Sequence, residues 1–166
     1  HPSNYFYKGQ VKCPPTLQNR QHILPSGFPW PKSRTKDKHL PLAFIHSGQN
    51  NEYTHNFGGK SNPAEAKLVT RIISSLIEND EIHAKNIAVI TPYSKQVQLI
   101  RMELAIKGTG NKNSMHQIKV GTVDSFQGQE TDLVIFSAVR SNELKEMGFL
   151  RDPRRLNVAI ARAKRG

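Results

Sequence analysis

The chain is short of cysteine, of acidic side chains and of long apolar runs, and each shortage closes off a class of protein. Cys13 is the single cysteine among 166 residues, so no internal disulfide framework can form, and a reducing compartment, cytosol or nucleus, is expected. No apolar stretch approaches the roughly 20 residues that span a bilayer. The N-terminal residues also lack the charged-then-apolar order of a signal peptide, so a soluble protein with no membrane partner is expected. The seven histidines are scattered without zinc-ligand spacing, and no metal site is expected within the chain. There is no G-x-S-x-G elbow, no H-E-x-x-H helix and no Rossmann glycine fingerprint. Gly58-Gly59-Lys60-Ser61 imitates the end of a P-loop, but the first glycine of G-x-x-x-x-G-K-[ST] would fall at Thr54, and the stretch before it is no buried strand. A loop leading into a helix cap accounts for these residues, which leaves the chain without a phosphate cradle of its own.

The shortage of acid is matched by an excess of base. Lys and Arg number 24 against 13 Asp and Glu, a formal charge of +11, which makes a polyanion, nucleic acid first, the partner to consider. The length is that of one ordinary domain. Residues 1–41 hold most of the ten prolines and the basic run Lys32, Arg34, Lys36, Lys38, and read as an extended lead-in with at most a turn at Tyr5 to Tyr7. From Leu42 onward, in 42–166, short apolar runs alternate with helical periodicity. Leu42–His46, Ile87–Thr91, Ile118–Val123 and Leu133–Ala138 read as buried strands. Interleaved with helices, they predict an α/β domain with a parallel sheet. Asn62, Pro63 and Glu65 predict a helix start with a capping box, followed by the apolar stripe Leu68, Val69, Ile72, Ile73, Leu76, Ile77. A second helix is predicted over Ser94 to Ile106 with Val97, Ile100 and Leu104 inward, then an exposed loop at Gly108 to Gln117. A third begins at Asp152 and Pro153 and should bury Leu156, Ala159, Ile160 and Ala163.

Three segments carry polar groups that a simple crossover does not need. Gly121 to Glu130 follows a predicted strand, and the carboxyl ends of parallel strands are where ligands bind; a tight turn with Asp124 or Ser125 as a cap is the plainer account. Gly148 to Arg165 places Arg155 and Arg162 seven residues apart, so on one helix they project from nearly the same face and could grip one polyanion. Arg154, Lys164 and Arg165 read as solvated charges. Ile90-Thr91-Pro92-Tyr93-Ser94-Lys95-Gln96 sets an aromatic and hydroxyls at a strand end, suited to a base and a phosphate, although a tyrosine there is often only packing.

Together, Ile90 to Gln96, Thr122 to Glu130, Val139-Arg140-Ser141-Asn142 and Gly148 to Lys164 resemble helicase motifs IV, V and VI in order and spacing. The nearest group is the 5′-to-3′ superfamily 1 helicases related to the nonsense-mediated-decay helicase and to Senataxin-like helicases, and Pro2-Ser3-Asn4-Tyr5-Phe6-Tyr7-Lys8-Gly9 is similar to that group as well. The resemblance implies a RecA-like, P-loop-NTPase-type fold, the second lobe of a motor that binds ATP with Mg2+ between two lobes and moves along single-stranded RNA or DNA. It implies that Gln127, Gly128 and Glu130 face the nucleotide, that Arg162 is an arginine finger supported by Arg155, and that Thr91, Pro92, Tyr93 and Thr122 touch the nucleic-acid strand. It implies further that the P-loop and the Mg2+ ligands belong to the first lobe of the same protein, and that the motor works as a monomer. The sequence departs from the group in two places. The Gln-Tyr-Arg-Met-His-Pro element that precedes this lobe in the family is represented at most by His1-Pro2, and Ala161 stands where threonine is frequent. A non-catalytic nucleic-acid-binding module of the same fold is the rival reading.

Overall fold

The computed structural model describes residues 8, 10, 28–34, 39–48, 51–78, 82–108 and 115–164. Cys13, the turn expected at Tyr5 to Tyr7, most of the Pro2–Gly9 similarity, Lys36, Lys38 and Arg165 lie outside the described residues. The first strands among the described residues form a short antiparallel hairpin, β1 (Tyr53–Thr54) and β2 (Lys60–Ser61). It is followed by α1 (Pro63–Ile77), β3 (Ile87–Thr91), α2 (Ser94–Gly108), β4 (Lys119–Thr122), β5 (Leu133–Phe136) and α3 (Pro153–Ile160). The three longer strands form a parallel sheet in the order β4-β3-β5, so β3 is central and all five of its residues are buried. This is the α/β architecture expected from the alternation of strands and helices.

The sheet is covered on both faces, and the period-two alternation of β3 divides the core. Ile87 and Val89 join one cluster with Val69, Ile73 and Leu76 of α1 and with Val97, Ile100 and Leu104 of α2. Ala88 and Ile90 join the other with Val123, Phe126 and Ala159, against which Phe136, Phe149 and Val158 pack. Each fully buried Ile or Leu contributes about 1.5–3 kcal/mol of transfer free energy, so the α1 stripe alone fixes that helix on the sheet. Phe28 and Trp30 meet edge to face at 4.9 Å and pack against the larger cluster. Lys32 bridges His39 in an antiparallel pair. The described part of the lead-in is therefore fastened to the domain by Phe28 and Trp30, and the bridge folds it back on itself.

Several expectations are corrected. Leu42–His46 forms no strand: Phe44 is 99% exposed and Leu42 60%. An apolar run becomes a strand only as a member of a hydrogen-bonded ladder, and none of the described strands pairs with it. In α3, Ile160 is exposed and Val158 packs inward instead. The capping box is half made. The Asn62 side chain accepts from the Glu65 N–H at 3.0 Å, but the Glu65 carboxylate turns away to accept from the Val139 N–H at 2.9 Å. The Asn62 N–H goes to the Gln96 side-chain oxygen at 2.8 Å.

Gln96 is the largest polar surprise, since it is 0% exposed. Besides accepting from Asn62, its amide donates to the Asn62 carbonyl at 3.3 Å and to the Ser137 hydroxyl at 3.1 Å. It thereby ties the starts of α1 and α2 to the end of β5. Each buried group left without its partner costs about 1–3 kcal/mol. Gln96→Ala should therefore lower unfolding free energy by roughly 3 kcal/mol or more, measured by urea denaturation; a loss below about 1 kcal/mol would show that the amide is replaceable by water.

Candidate nucleotide and nucleic-acid site

Two of the three segments singled out above leave the sheet at its carboxyl-terminal edge: β3 runs into Pro92 and Tyr93 and β4 into the turn of Asp124 to Phe126, while β5 runs at the same edge into Ser137 to Asn142. In an open parallel sheet this edge is where ligands bind.

The turn after β4 is built by its own side chains. The Ser125 hydroxyl donates to the Thr122 carbonyl at 2.7 Å, and the Gln129 amide donates to the Ser125 carbonyl at 3.0 Å. Gly128 has a φ of 78°, which a side chain would strain. Gln127, Gly128 and Glu130 all face solvent and Thr122 is half-buried. The segment is thus a tight turn whose outer residues are open to solvent.

Arg162 joins this loop. Its Nε donates to the Val158 carbonyl at 3.0 Å and its Nη1 to the Gln129 carbonyl at 3.3 Å. The backbone adds a parallel bridge between Thr131 and Ala163, with Thr131 N–H to Arg162 carbonyl at 3.0 Å and Lys164 N–H to Thr131 carbonyl at 2.8 Å. Lys164 also lies 3.4 Å from Glu130. Among the described residues no carboxylate pairs with the Arg162 guanidinium, so its donors suit an incoming phosphate; the residues present fit ATP phosphates at this edge.

Arg155 is elsewhere. Because α3 ends at Ile160, Arg162 lies beyond the helix and the seven-residue, same-face argument fails. Arg155 is exposed and its guanidinium sits 4.3 Å over the Phe149 ring. Its partner is thus an aromatic face, in an interaction worth about 0.5–1 kcal/mol when exposed. Arg154 forms an exposed ion pair with Asp152. Of the residues that the resemblance sets against a nucleic-acid strand, Pro92 and Tyr93 are half-buried. Thr91 is 0% exposed and its hydroxyl is buried without a hydrogen-bond partner among the described residues, so this side chain is not presented to solvent. The P-loop look-alike is a hairpin whose Lys60 ammonium reaches Glu52 at 2.6 Å and Thr54 at 3.1 Å.

Glu52 and Arg140, to which the sequence alone gives no task, and Glu65, expected only to complete a capping box, all shape the segment after β5. Val139 is fully buried with φ at 70°, a left-handed conformation that a β-branched residue rarely adopts and that costs about 1–3 kcal/mol. Glu65 holds its N–H and Asn62 Nδ2 its carbonyl, at 3.2 Å. The only signal in the sequence was the charged Val-Arg-Ser-Asn directly after an apolar strand.

The sequence matches the family described as AAA domain over residues 1–166. It is 39% identical over 165 residues to the ATP-dependent helicase NAM7 of Saccharomyces cerevisiae, covering 99% of this chain and 16% of that protein. It is 37% identical over 165 residues to Regulator of nonsense transcripts 1 of Caenorhabditis elegans, covering 99% of this chain and 15% of that one. Similarity to DNA polymerase alpha-associated DNA helicase A of Schizosaccharomyces pombe is 39% over 186 residues, 93% of this chain and 27% of that protein. The chain belongs to the AAA domain family, and its relatives uphold the likeness to superfamily 1 helicases of the nonsense-mediated-decay group. It spans only a minor part of the length of each of them.

Burial raises the Glu65 carboxyl above its ordinary 4.5, against the opposing pull of the Ser137 hydroxyl and the Val139 and Ala138 N–H groups. At pH below 4.5 both folded and unfolded states are protonated and the cost of ionisation is absent. Between that pH and the raised folded value the unfolded chain alone gives up its proton, so stability falls as pH rises. Glu65→Gln keeps an oxygen for the Val139 N–H and removes the loss. Its melting temperature should gain on that of the wild type as pH is raised from about 4 to about 7. A difference that stays constant over this range would show that Glu65 titrates normally.

Proposed function

We propose that this chain is the second RecA-like lobe of an ATP-dependent helicase that moves along single-stranded RNA or DNA, with residues 42–166 as the functional unit. ATP, with Mg2+ held by the first lobe of the same protein, binds against the exposed loop of Gln127, Gly128 and Glu130. Arg162 reaches across to the γ-phosphate, where charge builds on phosphate oxygens during transfer. A guanidinium fixed there stabilises the transition state more than the ground state. The observation that carries this reading is the tethering of Arg162, unpaired with any described carboxylate, to the Gln129 carbonyl of that loop. Arg155 supports the site from the far end of α3 through Phe149 rather than by a shared helix face.

On the other side, Pro92, Tyr93 and Thr122 contact the strand, while Thr91 shapes it from beneath. The excess of basic residues draws the polyanion in, and the contacts are to backbone and base faces, which tolerate any sequence. The names of the relatives include regulators of transcripts and a DNA helicase, so both strand chemistries belong to the proposal. The full-length motor acts as a monomer in the cytosol or nucleus.

The test is Arg162→Ala in the full-length enzyme. ATP hydrolysis with saturating single-stranded RNA should fall roughly 10³-fold, as for other trans-cleft fingers, while the melting temperature stays close to that of the wild type because the core face of α3 is untouched. A variant that melts normally and hydrolyses ATP at near the wild-type rate would refute the assignment.

A further inference from the structure

Arg140 is held far more elaborately than a solvated arginine. Its side chain is 6% exposed. Glu52 Oε2 lies 3.0 Å from its Nε and Glu146 Oε2 3.3 Å from its Nη2. The Nε–Glu52 pair is electrostatic, because the N–H does not aim at the oxygen and finds no hydrogen-bond acceptor among the described residues. The remaining reach of the guanidinium is toward the Tyr93 hydroxyl. The two groups meet above Gly148: a Cβ there would collide with Arg140 Nη1 and stand 2.9 Å from the Tyr93 oxygen. Gly148 also has a φ of 52°. Glycine is thus needed for the contact as well as for the backbone.

The supports run outward from this contact. Glu52 is gripped by Lys60 at 2.6 Å, by the Ser141 N–H at 3.1 Å and by Asn142 Nδ2 at 3.0 Å. The strained Val139 that precedes Arg140 is pinned by Glu65 and Asn62. A buried ionic cluster of this kind is a poor source of stability compared with apolar packing, and backbone strain persists where a position matters. What Arg140 places is the Tyr93 ring, whose centroid is 6.5 Å from that of Phe149 with the planes tilted by 58°; Arg155 lies over Phe149. Stacking of a base needs an aromatic ring whose plane is fixed by its neighbours.

We propose that Arg140 is a positioning residue for strand binding: by holding the Tyr93 hydroxyl it fixes the Tyr93 ring beside Phe149 as a stacking surface for an unpaired base. This rests on the helicase reading above. The test uses the full-length protein and fluorescence anisotropy with labelled oligouridine and oligothymidine. Arg140→Ala and Tyr93→Phe should each raise Kd about fivefold to tenfold, and the double variant should bind no worse than the weaker single, because both changes cut one contact. In ATPase titrations the half-saturating strand concentration should rise by that factor while turnover at saturation changes less. Additive losses, or a Tyr93→Phe protein with wild-type Kd, would overturn the proposal. Should Arg140→Ala fail to fold, Tyr93→Phe decides by the same criterion. A wild-type protein that binds neither oligonucleotide would overturn the helicase reading itself, and the proposal with it.

Discussion

Asn62 is gripped on every side. Its N–H goes to Gln96, its carbonyl receives the Gln96 amide, its side-chain oxygen caps α1 and its side-chain nitrogen reaches the Val139 carbonyl. Ser137 and Glu65 close the circle. This buried polar knot is the joint at which α1, α2 and the end of β5 meet, and the geometry of the sheet's carboxyl-terminal edge depends on it. Inside a low-dielectric core such a network is strong when every member is satisfied and costly when one is missing. It also forces Val139 into a left-handed conformation, which turns the chain after β5 so that Arg140 points back toward Tyr93 rather than out along the sheet.

From that joint the edge divides into two neighbourhoods. In one, the loop after β4 and the residues following α3 are laced together by Thr131, Arg162, Ala163 and Lys164. In the other, Tyr93, Phe149, Arg155 and Arg140 form a basic and aromatic group. Helix α3 connects them: Arg155 is near its start and Arg162 just past its end.

Much of this was legible from residues alone, where the cause is local. The N-caps Asn62 and Asp152, the stripe of α1 and the apolar run of β3 follow from periodicity and capping chemistry, and each is found where the sequence puts it. What escaped depends on partners distant in sequence. Leu42–His46 has the composition of a strand, but a strand is defined by a neighbour to pair with. Gln96 looks like a surface residue until Asn62 and Ser137, 34 and 41 residues away, surround it. The shared face of Arg155 and Arg162 failed through two residues of helix boundary, the least certain quantity in any sequence reading. Arg140 stood in plain view within a recognised motif, yet its task could not be read without Glu52, Gly148 and Tyr93 beside it.

The central claim is that this domain is one half of a motor whose ATP chemistry answers to a bound strand. The most direct measurement is steady-state ATP hydrolysis by the full-length protein, titrated with single-stranded RNA or DNA at fixed ionic strength. The account predicts hydrolysis that rises with strand concentration to saturation, with a half-saturation point that moves to higher concentration as salt is added, because the attraction is chiefly between basic side chains and phosphates. Hydrolysis indifferent to either strand at every concentration and salt would contradict it.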